Sequence, residues 1–397
     1  MVLNWDILFV ILPNFFLGYS PWLKDARDLL AMMRTCHTLY KAGMPHLLNY
    51  IYLFDDFRRV ADFACFALGD PQRPLLLRTF ELELSSEQKN LDFDRCASEL
   101  GRLLQQAKNL KMFAIGPCVE HFVDANFEMA LAIASLEKLT HLHLEGIGFM
   151  ATRMLTALRS PLETVYLDFN VDGTVFSMDP QTRDVIKLLT NFSSRLKNVT
   201  IEFADFEPDQ GISHPTVLDL TVYSESTIDI DTINAAFPNV QDFAWYPDSL
   251  AFDSSAATQM RTDREEVDWD DDWESLDTLH AGILEAYGLR LQCPVREWRG
   301  TGFSPQTIHQ LRQVLEDISP SHVSVFLGLD EWSKESISEL FDRVTDLPSI
   351  SHLEIEVELD HNRTTKHISM VRYTHSLHAQ SIANVCVLSE RPDQLCL

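Results

Sequence analysis

The residues with the clearest chemical potential are two glycines and an aspartate spaced like a dinucleotide-binding fingerprint. Gly146 and Gly148 follow a strand-like segment and precede a helical one, and Asp168 ends the next strand-like segment. In such a motif the glycines let a pyrophosphate approach a helix N-terminus, and the acid holds a ribose hydroxyl. Because the neighbouring segments show no trace of this pattern, we interpret the glycines as a turn. A dinucleotide-dependent enzyme using these three residues stays open as an alternative.

Three other groups of residues have spacings that resemble metal sites. They are His141 with His143, His375 with His378, and Asp268, Asp270 and Asp272. Neither histidine pair has a third ligand close by in the sequence, which a zinc site needs. A calcium loop would need glycine at Trp273 and glutamate at Leu279. We therefore predict no metal, no cofactor and no enzymatic activity.

A six-residue pattern that recurs along the chain indicates how these residues are positioned. It reads apolar, two variable residues, apolar, one variable residue, apolar, and its last step is the alternation of a strand. The pattern starts at Leu77, Leu110, Leu139, Leu162 and Leu196, and more loosely at Pro215, Val240, Val295, Pro320, Ile350 and Ile382. These starts recur at a mean spacing of about 30 residues.

Helical segments lie between the predicted strands, so strand and helix alternate along the chain. The spacing predicts helices over 94–107, 128–136, 181–191, 307–318 and 333–344. Alternation of this kind favours parallel strands with a helix covering one side of each. Many such units at this period predict an α/β fold, an irregular leucine-rich-repeat-like solenoid with parallel strands.

The variable positions of these strands should share one open, concave face, and they are strongly acidic. They include Glu81, Glu83, Glu145, Asp168, Glu202, Asp219, Asp242, Glu297, Glu354 and Glu356, against one strong base, Arg299. Such a surface favours a basic segment of a partner protein. As substrate-binding residues we predict Glu81, Glu83, His141, His143, Glu145, Tyr166, Asp168 and Glu202. The alternative is a solvated face that binds nothing.

Two segments interrupt or precede this array. Residues 262–277 hold nine acidic residues and one basic residue, which predicts a solvated acidic loop near 248–277. Residues 1–53 instead show helical spacing, with a last helix over 44–53. Fifty residues cannot easily bury three such helices, so part of their apolar surface should be covered by the array or by a partner.

Composition excludes several classes of partner. With 59 acidic and 32 basic residues the net charge is −27, so we expect no nucleic acid and no anionic membrane surface as partner. The apolar run at 7–17 is shorter than a membrane span and lacks a basic flank, so we predict a buried helix there. Seven cysteines without a Cys-x-x-Cys motif favour free thiols and a cytoplasmic or nuclear location.

The first fifty residues resemble an F-box of the kind found in fungal proteins. The segments that carry the resemblance are LNWDILFVIL from Leu3 and DLLAMMRTCHTLYKAGMPHLLNYIYL from Asp28. Asn4 stands where the family has proline, and the connection over 13–27 is longer than usual. The chain would then comprise an all-helical F-box-like module at 1–53, a helical linker at 54–76 and the repeat array at 77–397.

The resemblance implies that the protein is the substrate-recognition subunit of a Skp–cullin–F-box ubiquitin ligase. Its N-terminal helices would bind a Skp-family adaptor, and its repeats would hold an unknown protein substrate. The residues that would bind the adaptor are Leu3, Ile7, Leu8, Ile11, Leu12, Leu29, Leu30, Met33 and Leu39. The alternative is a non-enzymatic repeat scaffold for protein–protein interaction without a ligase link.

Overall fold

The structure is a computed structural model, and everything said below of contacts and burial concerns the residues that it describes. These are residues 30–54, 56–84, 92–170, 183–208, 211–225, 227–248, 252–265, 273–301, 304–328, 350–359 and 366–373. The chain divides into two compact units, Met1–Leu196 and Lys197–Leu397.

The described part of the first unit contains five parallel strands in sequence order. They are β1 (Tyr50–Phe54), β2 (Thr79–Glu83), β3 (Met112–Gly116), β4 (His141–Leu144) and β5 (Thr164–Asp168). Its helices are α1 (His37–Asn49), α2 (Phe57–Leu68), α3 (Asp92–Gln106), α4 (Val119–Ala125), α5 (Phe127–Ala134), α6 (Phe149–Ala157) and α7 (Val185–Leu188). Short 3-10 helices cover Pro74–Leu76 and Leu189–Phe192.

The second unit continues the same alternation. Its parallel strands are β6 (Asn198–Glu202), β7 (Asp219–Ser224), β8 (Asp242–Pro247), β9 (Leu276–His280), β10 (Val295–Gly300), β11 (His322–Gly328) and β12 (His352–Leu359). A further strand, β13 (Lys366–Tyr373), is antiparallel to β12. The helices are α8 (Ile230–Ala236), α9 (Ser254–Glu265), α10 (Ile283–Leu289) and α11 (Ile308–Ile318).

The three apolar positions of each repeat explain this architecture. In the first repeat predicted from the sequence, Leu77, Phe80 and Leu82 are all buried, while Thr79 and Glu81 between them are partly exposed. Because connections between parallel strands are nearly always right-handed, strands in sequence order within each unit should have their described helices on one face of the sheet. Successive helices such as α2 and α3, or α9 and α10, accordingly pack against each other. Within each unit this is an α/β array of the solenoid-like kind, and the predicted fold class is confirmed at that level.

The sheet begins earlier than the sequence analysis predicted. Helix α1 ends at Asn49, and Tyr50–Phe54 form β1, which pairs in register with β2. The helix predicted over 44–53 is therefore wrong at its end, because Leu48, Ile51 and Leu53 follow the repeat pattern and the strand gains a neighbour in β2. The predicted linker at 54–76 contains α2, the helix of this first repeat.

One repeat is displaced and another was missed. Pro215 and Leu218 are exposed, while Val217, Leu220 and Val222 are buried, so the repeat predicted from Pro215 starts two residues later. A two-residue shift keeps the same strand face inward, because strand alternation has a period of two. The missed repeat lies between Val240 and Val295.

The missed repeat occupies most of the predicted acidic loop. Helix α9 covers residues 254–265, and Leu276, Leu279 and Ala281 fill the apolar positions around β9. Trp273 is also in the core: its Nε1 donates to the carbonyl oxygen of Phe237 at 2.9 Å, and its ring lies 5.0 Å from that of Phe243. The prediction of a loop over 248–277 was therefore wrong for these parts, because charge content hid the repeat pattern.

The second unit is tied together by two buried arginines on α9. Arg261 donates to Asp317 of α11 at 2.7 Å and to the carbonyl oxygen of Tyr287 in α10 at 3.0 Å. Arg264 donates to Asp231 of α8 at 3.0 Å and to the carbonyl oxygen of Leu289 in α10. Both guanidinium groups are desolvated and need these acceptors, so α9 links the three other helices that the structure describes in this unit.

Replacing Asp231 by alanine should destabilise the second unit. The change leaves the Arg264 side chain, which is only 8% exposed, without its carboxylate, at an expected cost of about 3 kcal/mol. Urea unfolding of the full chain followed by tryptophan fluorescence measures this, because Trp245 and Trp298 are in the core of the unit. The control is Asp263→Ala on the exposed side of α9, with an expected change below about 0.5 kcal/mol. Equal effects of the two changes would contradict the role of Arg264.

Candidate functional site

The loop that resembles a dinucleotide fingerprint holds a carboxylate of the chain itself. Glu120 of α4 reaches the N-terminus of α6, where its carboxylate accepts hydrogen bonds from three backbone amides. The donors are the N–H groups of Gly148 at 3.0 Å, Met150 at 2.8 Å and Ala151 at 2.9 Å. A pyrophosphate would need these same donors. Glu120 therefore occupies the place that the nucleotide alternative reserves for phosphate.

The two glycines and the aspartate have structural roles around this contact. Gly146 has a φ of +71°, and a Cβ atom there would lie 2.3 Å from the carbonyl oxygen of Pro117. A Cβ atom at Gly148 would collide with the Glu120 side chain. The backbone oxygen of Asp168 accepts from the N–H of Ile147 at 2.9 Å, and its carboxylate accepts from the N–H of Asn170 at 2.8 Å. These residues shape the turn between β4 and α6.

Replacing Glu120 by alanine should destabilise the first unit by about 2 kcal/mol, because three amide groups at a helix N-terminus lose their acceptor. Glu120→Gln should cost less, since its amide oxygen can still accept. Thermal and urea unfolding of the full chain measure the effect. Glu137→Ala, an exposed acid in the turn before β4, is the charge-matched control. If Glu137→Ala destabilises the chain as much as Glu120→Ala does, the hydrogen bonds accepted by Glu120 make no specific contribution to stability.

The open face of the first unit is the best candidate for binding. We define it as the side chains of β1–β5 that point away from the helices. Seven of the eight predicted substrate-binding residues lie together on it: Glu81 and Glu83 on β2, His141, His143 and Glu145 at β4, and Tyr166 and Asp168 on β5. The eighth, Glu202, lies on β6 in the second unit.

Two small residues on β3 leave a depression near the centre of this face. Beside Glu81 and Glu83 of β2, strand β3 presents the small residues Ala114 and Gly116, while the larger Met112 lies one row earlier, next to His141. The Glu145 carboxylate lies over Gly116, where a Cβ atom would be 2.4 Å from Oε2. Glycine is therefore required at this position for Glu145 to lie across β3.

The imidazole of His143 holds this carboxylate in place. Its Nε2 lies 2.7 Å from Oε1 of Glu145, and its ring stacks on Tyr166 at a centroid distance of 4.0 Å. His141, by contrast, is exposed, and its Nδ1 lies 2.9 Å from the hydroxyl of Thr140. The arrangement gives a fixed carboxylate–imidazole–phenol cluster on the open face, suited to hydrogen bonding and to holding a cation.

Two tyrosines on β1 complete the open face, and the sequence analysis missed them. The Tyr52 hydroxyl donates to Glu83, and burial raises the pKa of Tyr50 to about 12, with the Glu81 carboxylate adding to the rise. The signal was available: LNYIYL from Leu48 has the repeat pattern, which places Tyr50 and Tyr52 at two of its three variable positions. The first unit thus presents tyrosines beside carboxylates at both ends of its sheet.

The raised pKa of Tyr50 gives a pH dependence with a defined sign. Between pH about 10 and about 12 the folded chain keeps the Tyr50 proton while the unfolded chain has lost it, so stability falls as pH rises. Tyr50→Phe removes the group and should make this decrease shallower. Urea unfolding between pH 9 and 12 (roughly the titration range of tyrosine) measures the slope. Identical slopes for the two proteins would show that Tyr50 titrates normally.

The open face of the second unit carries the remaining predicted acids. Asp219 and Asp242 are in-register neighbours on β7 and β8; burial raises the pKa of Asp219, and the charge of Asp242 adds to the rise. Glu297 and Arg299 pair with each other at 2.6 Å, which lowers the pKa of Glu297. Glu354 is exposed on β12; Glu356 is on the same strand, and its side chain is not described.

The described residues do not form a metal site. No group of three or more histidine, cysteine, aspartate or glutamate side chains among them could hold a metal ion. His375, His378, Asp268, Asp270 and Asp272 lie outside the described residues. Cys36, Cys65, Cys96, Cys118 and Cys293 are free thiols.

Three of the nine predicted adaptor-binding residues are described. Leu30 is 37% exposed, in a helical turn over 30–33, whereas Met33 and Leu39 are each only 3% exposed. Met33 and Leu39 thus contribute to the core of the chain, and Leu30 presents apolar surface to solvent. Leu3, Ile7, Leu8, Ile11, Leu12 and Leu29 lie outside the described residues.

Comparison with known proteins adds no family to these observations. Neither a protein-family model nor a curated protein sequence matches the chain. Among the described residues, no helix combines the length and the apolar character needed to cross a membrane.

Proposed function

We propose that this protein is a non-enzymatic receptor whose repeat array binds a protein substrate through the open sheet faces. The observation that carries the proposal is the open face of the first unit, where carboxylates and aromatic rings from β1 to β5 lie side by side. The opposite face of these strands packs against helices and supplies the core. An ordered polar face without helices to cover it, in the described residues, is suited to holding a partner chain.

The proposed array is of the leucine-rich-repeat kind. In its support, Leu110, Phe113 and Ile115 of one repeat and Leu139, Leu142 and Leu144 of the next are all buried. Each repeat thus fills three inward positions and leaves the variable positions of its strand for recognition. The acidic charge of those positions favours a substrate with a basic segment.

The ligase link is part of the same proposal and rests on the F-box resemblance of residues 1–53. The N-terminal helices would dock on a Skp-family adaptor of a cullin–RING ligase, which places the bound substrate within reach of ubiquitin transfer. In its support, Leu30 exposes apolar surface within the segment that carries the resemblance. The array would serve equally as a scaffold if this docking does not occur.

Co-purification with a co-expressed Skp-family adaptor tests the ligase link. We expect the full chain to retain the adaptor, and Leu30→Asp, or Leu8→Asp with Ile11→Asp, to weaken binding on the order of a hundred-fold. The loss is expected because a charged group cannot enter an apolar interface without a partner. Circular dichroism checks that each variant is folded.

Leu218→Asp is the matched control, because Leu218 is 39% exposed and lies before β7 in the second unit. This variant should retain the adaptor. If the folded wild-type chain does not bind the adaptor, the ligase link is wrong and the chain is a repeat scaffold. If Leu218→Asp loses the adaptor to the same extent, the binding does not involve the N-terminal segment specifically.

A further inference from the structure

A trough crosses the first three strands of the second unit on their open face. Its floor is a row of small side chains, Thr200 on β6, Thr221 on β7 and Ala244 on β8, which are in-register neighbours. On each strand, the residues two positions before and two positions after the floor residue face the same way. They form two flanking rows of larger side chains. Successive side chains on one face are about 6.6 Å apart along a strand, so the trough is about 13 Å wide between the flanking rows.

One wall of the trough is aromatic. Tyr223 and Tyr246 are in-register neighbours, and their rings stack with centroids 5.0 Å apart and planes at 25°. Next to them along the row, Glu202 lies close enough to raise the pKa of Tyr223, although burial is the larger cause. Below the sheet, Trp245 is fully buried and its Nε1 donates to the hydroxyl of Ser224 at 2.9 Å, which fixes the end of β8.

The other wall is acidic. Asp219 and Asp242 are in-register neighbours, an arrangement that is destabilising for like charges. Arg299 on β10 is the nearest strong base of this face: it donates to Glu297 at 2.6 Å, and its charge also acts on Asp242. The described side chains of this face include one arginine, Arg299, and five carboxylates. The carboxylates are Glu202, Asp219, Asp242, Glu297 and Glu354.

We propose that this trough binds an extended basic segment of a partner protein, with an arginine side chain between the Asp219–Asp242 wall and the Tyr223–Tyr246 wall. The small floor lets a backbone lie close to the sheet. The carboxylates neutralise the guanidinium charge and relieve their mutual repulsion. The tyrosine rings bind the planar cation through cation–π contact and through its apolar faces. This inference rests on the proposed receptor function in taking the partner to be a protein.

Arginine fits the two walls better than lysine. Its guanidinium is planar, can donate to two carboxylates at once and stacks on aromatic rings, whereas an ammonium group is a compact and strongly hydrated charge. A neutral side chain of the same shape would keep the stacking and lose the attraction to Asp219 and Asp242. These differences define the probes that distinguish this site from general attraction to an acidic protein.

The test uses a fluorescein-labelled peptide of alternating arginine and serine, eight residues long (roughly the reach of an extended chain across several strands). Fluorescence anisotropy with the full chain should show saturable binding. Asp219→Asn with Asp242→Asn should weaken it at least tenfold, on the order expected for the loss of charge-assisted hydrogen bonds. Tyr246→Leu should weaken it several-fold, while Tyr246→Phe, which keeps the ring, should bind as the wild type does.

The charge-matched control is Asp263→Asn with Glu316→Gln, two exposed acids on α9 and α11. This variant should change affinity less than about twofold, because surface charges away from the site are screened by salt. Peptides with lysine or citrulline in place of arginine should bind more weakly. The proposal is overturned if the wild type does not bind, if the control loses as much as the Asp219/Asp242 variant, or if citrulline binds equally well.

The peptide test and the adaptor test can fail independently, so together they distinguish the trough proposal from the ligase link. Retention of the adaptor depends on the N-terminal segment and is measured without the peptide. An adaptor-binding chain that ignores the arginine peptide would disprove the trough alone. A chain that binds the peptide through Asp219 and Asp242 but not the adaptor would disprove the ligase link and leave a scaffold with this specificity.

Discussion

The constraint on which the structure depends is that each repeat must bury one strand face against helices. Within a repeat such as that of Leu139, Leu142 and Leu144, the first apolar residue precedes the strand and the other two point from it towards the helices. Strand alternation then forces the residues between them, here His141 and His143, onto the opposite face. The core and the open face are therefore two consequences of the same six-residue pattern.

This constraint made the strands predictable, and it also explains the errors. The apolar positions of five successive repeats were identified from Leu77 to Leu196, and their burial confirms them. The repeat at Leu48 was hidden because an apolar run beside a helix fits either element, and only pairing with β2 decides between them. The repeat at Leu276 was hidden by the charges around it, although LDTLHA has the required pattern. Antiparallel β13 could not be inferred from a repeat that predicts parallel strands.

The sequence predicts which residues lie on the candidate site better than it predicts the contacts between them. Periodicity placed Glu81, Glu83, His143 and Glu145 on one face, because that assignment needs only the strand register. It could not show that Glu145 lies over Gly116, since a side-chain direction depends on the neighbouring strand. The same limit applies to Glu120. The glycine spacing around Gly148 suggested an anion site, and only the fold shows that the anion is a carboxylate from α4.

The acidic faces have a cost that the core has to offset. Asp219 beside Asp242 is unfavourable, and burial adds to it by raising the pKa of Asp219. A stable fold can carry such a pair because the inward side chains of the same strands, including Leu220, Val222 and Phe243, are fully buried. Stability alone would favour a neutral or cationic neighbour at one of the two positions. If a basic partner binds there, as we propose, its cation relieves this repulsion, and the free energy lost in the unbound chain contributes to the affinity.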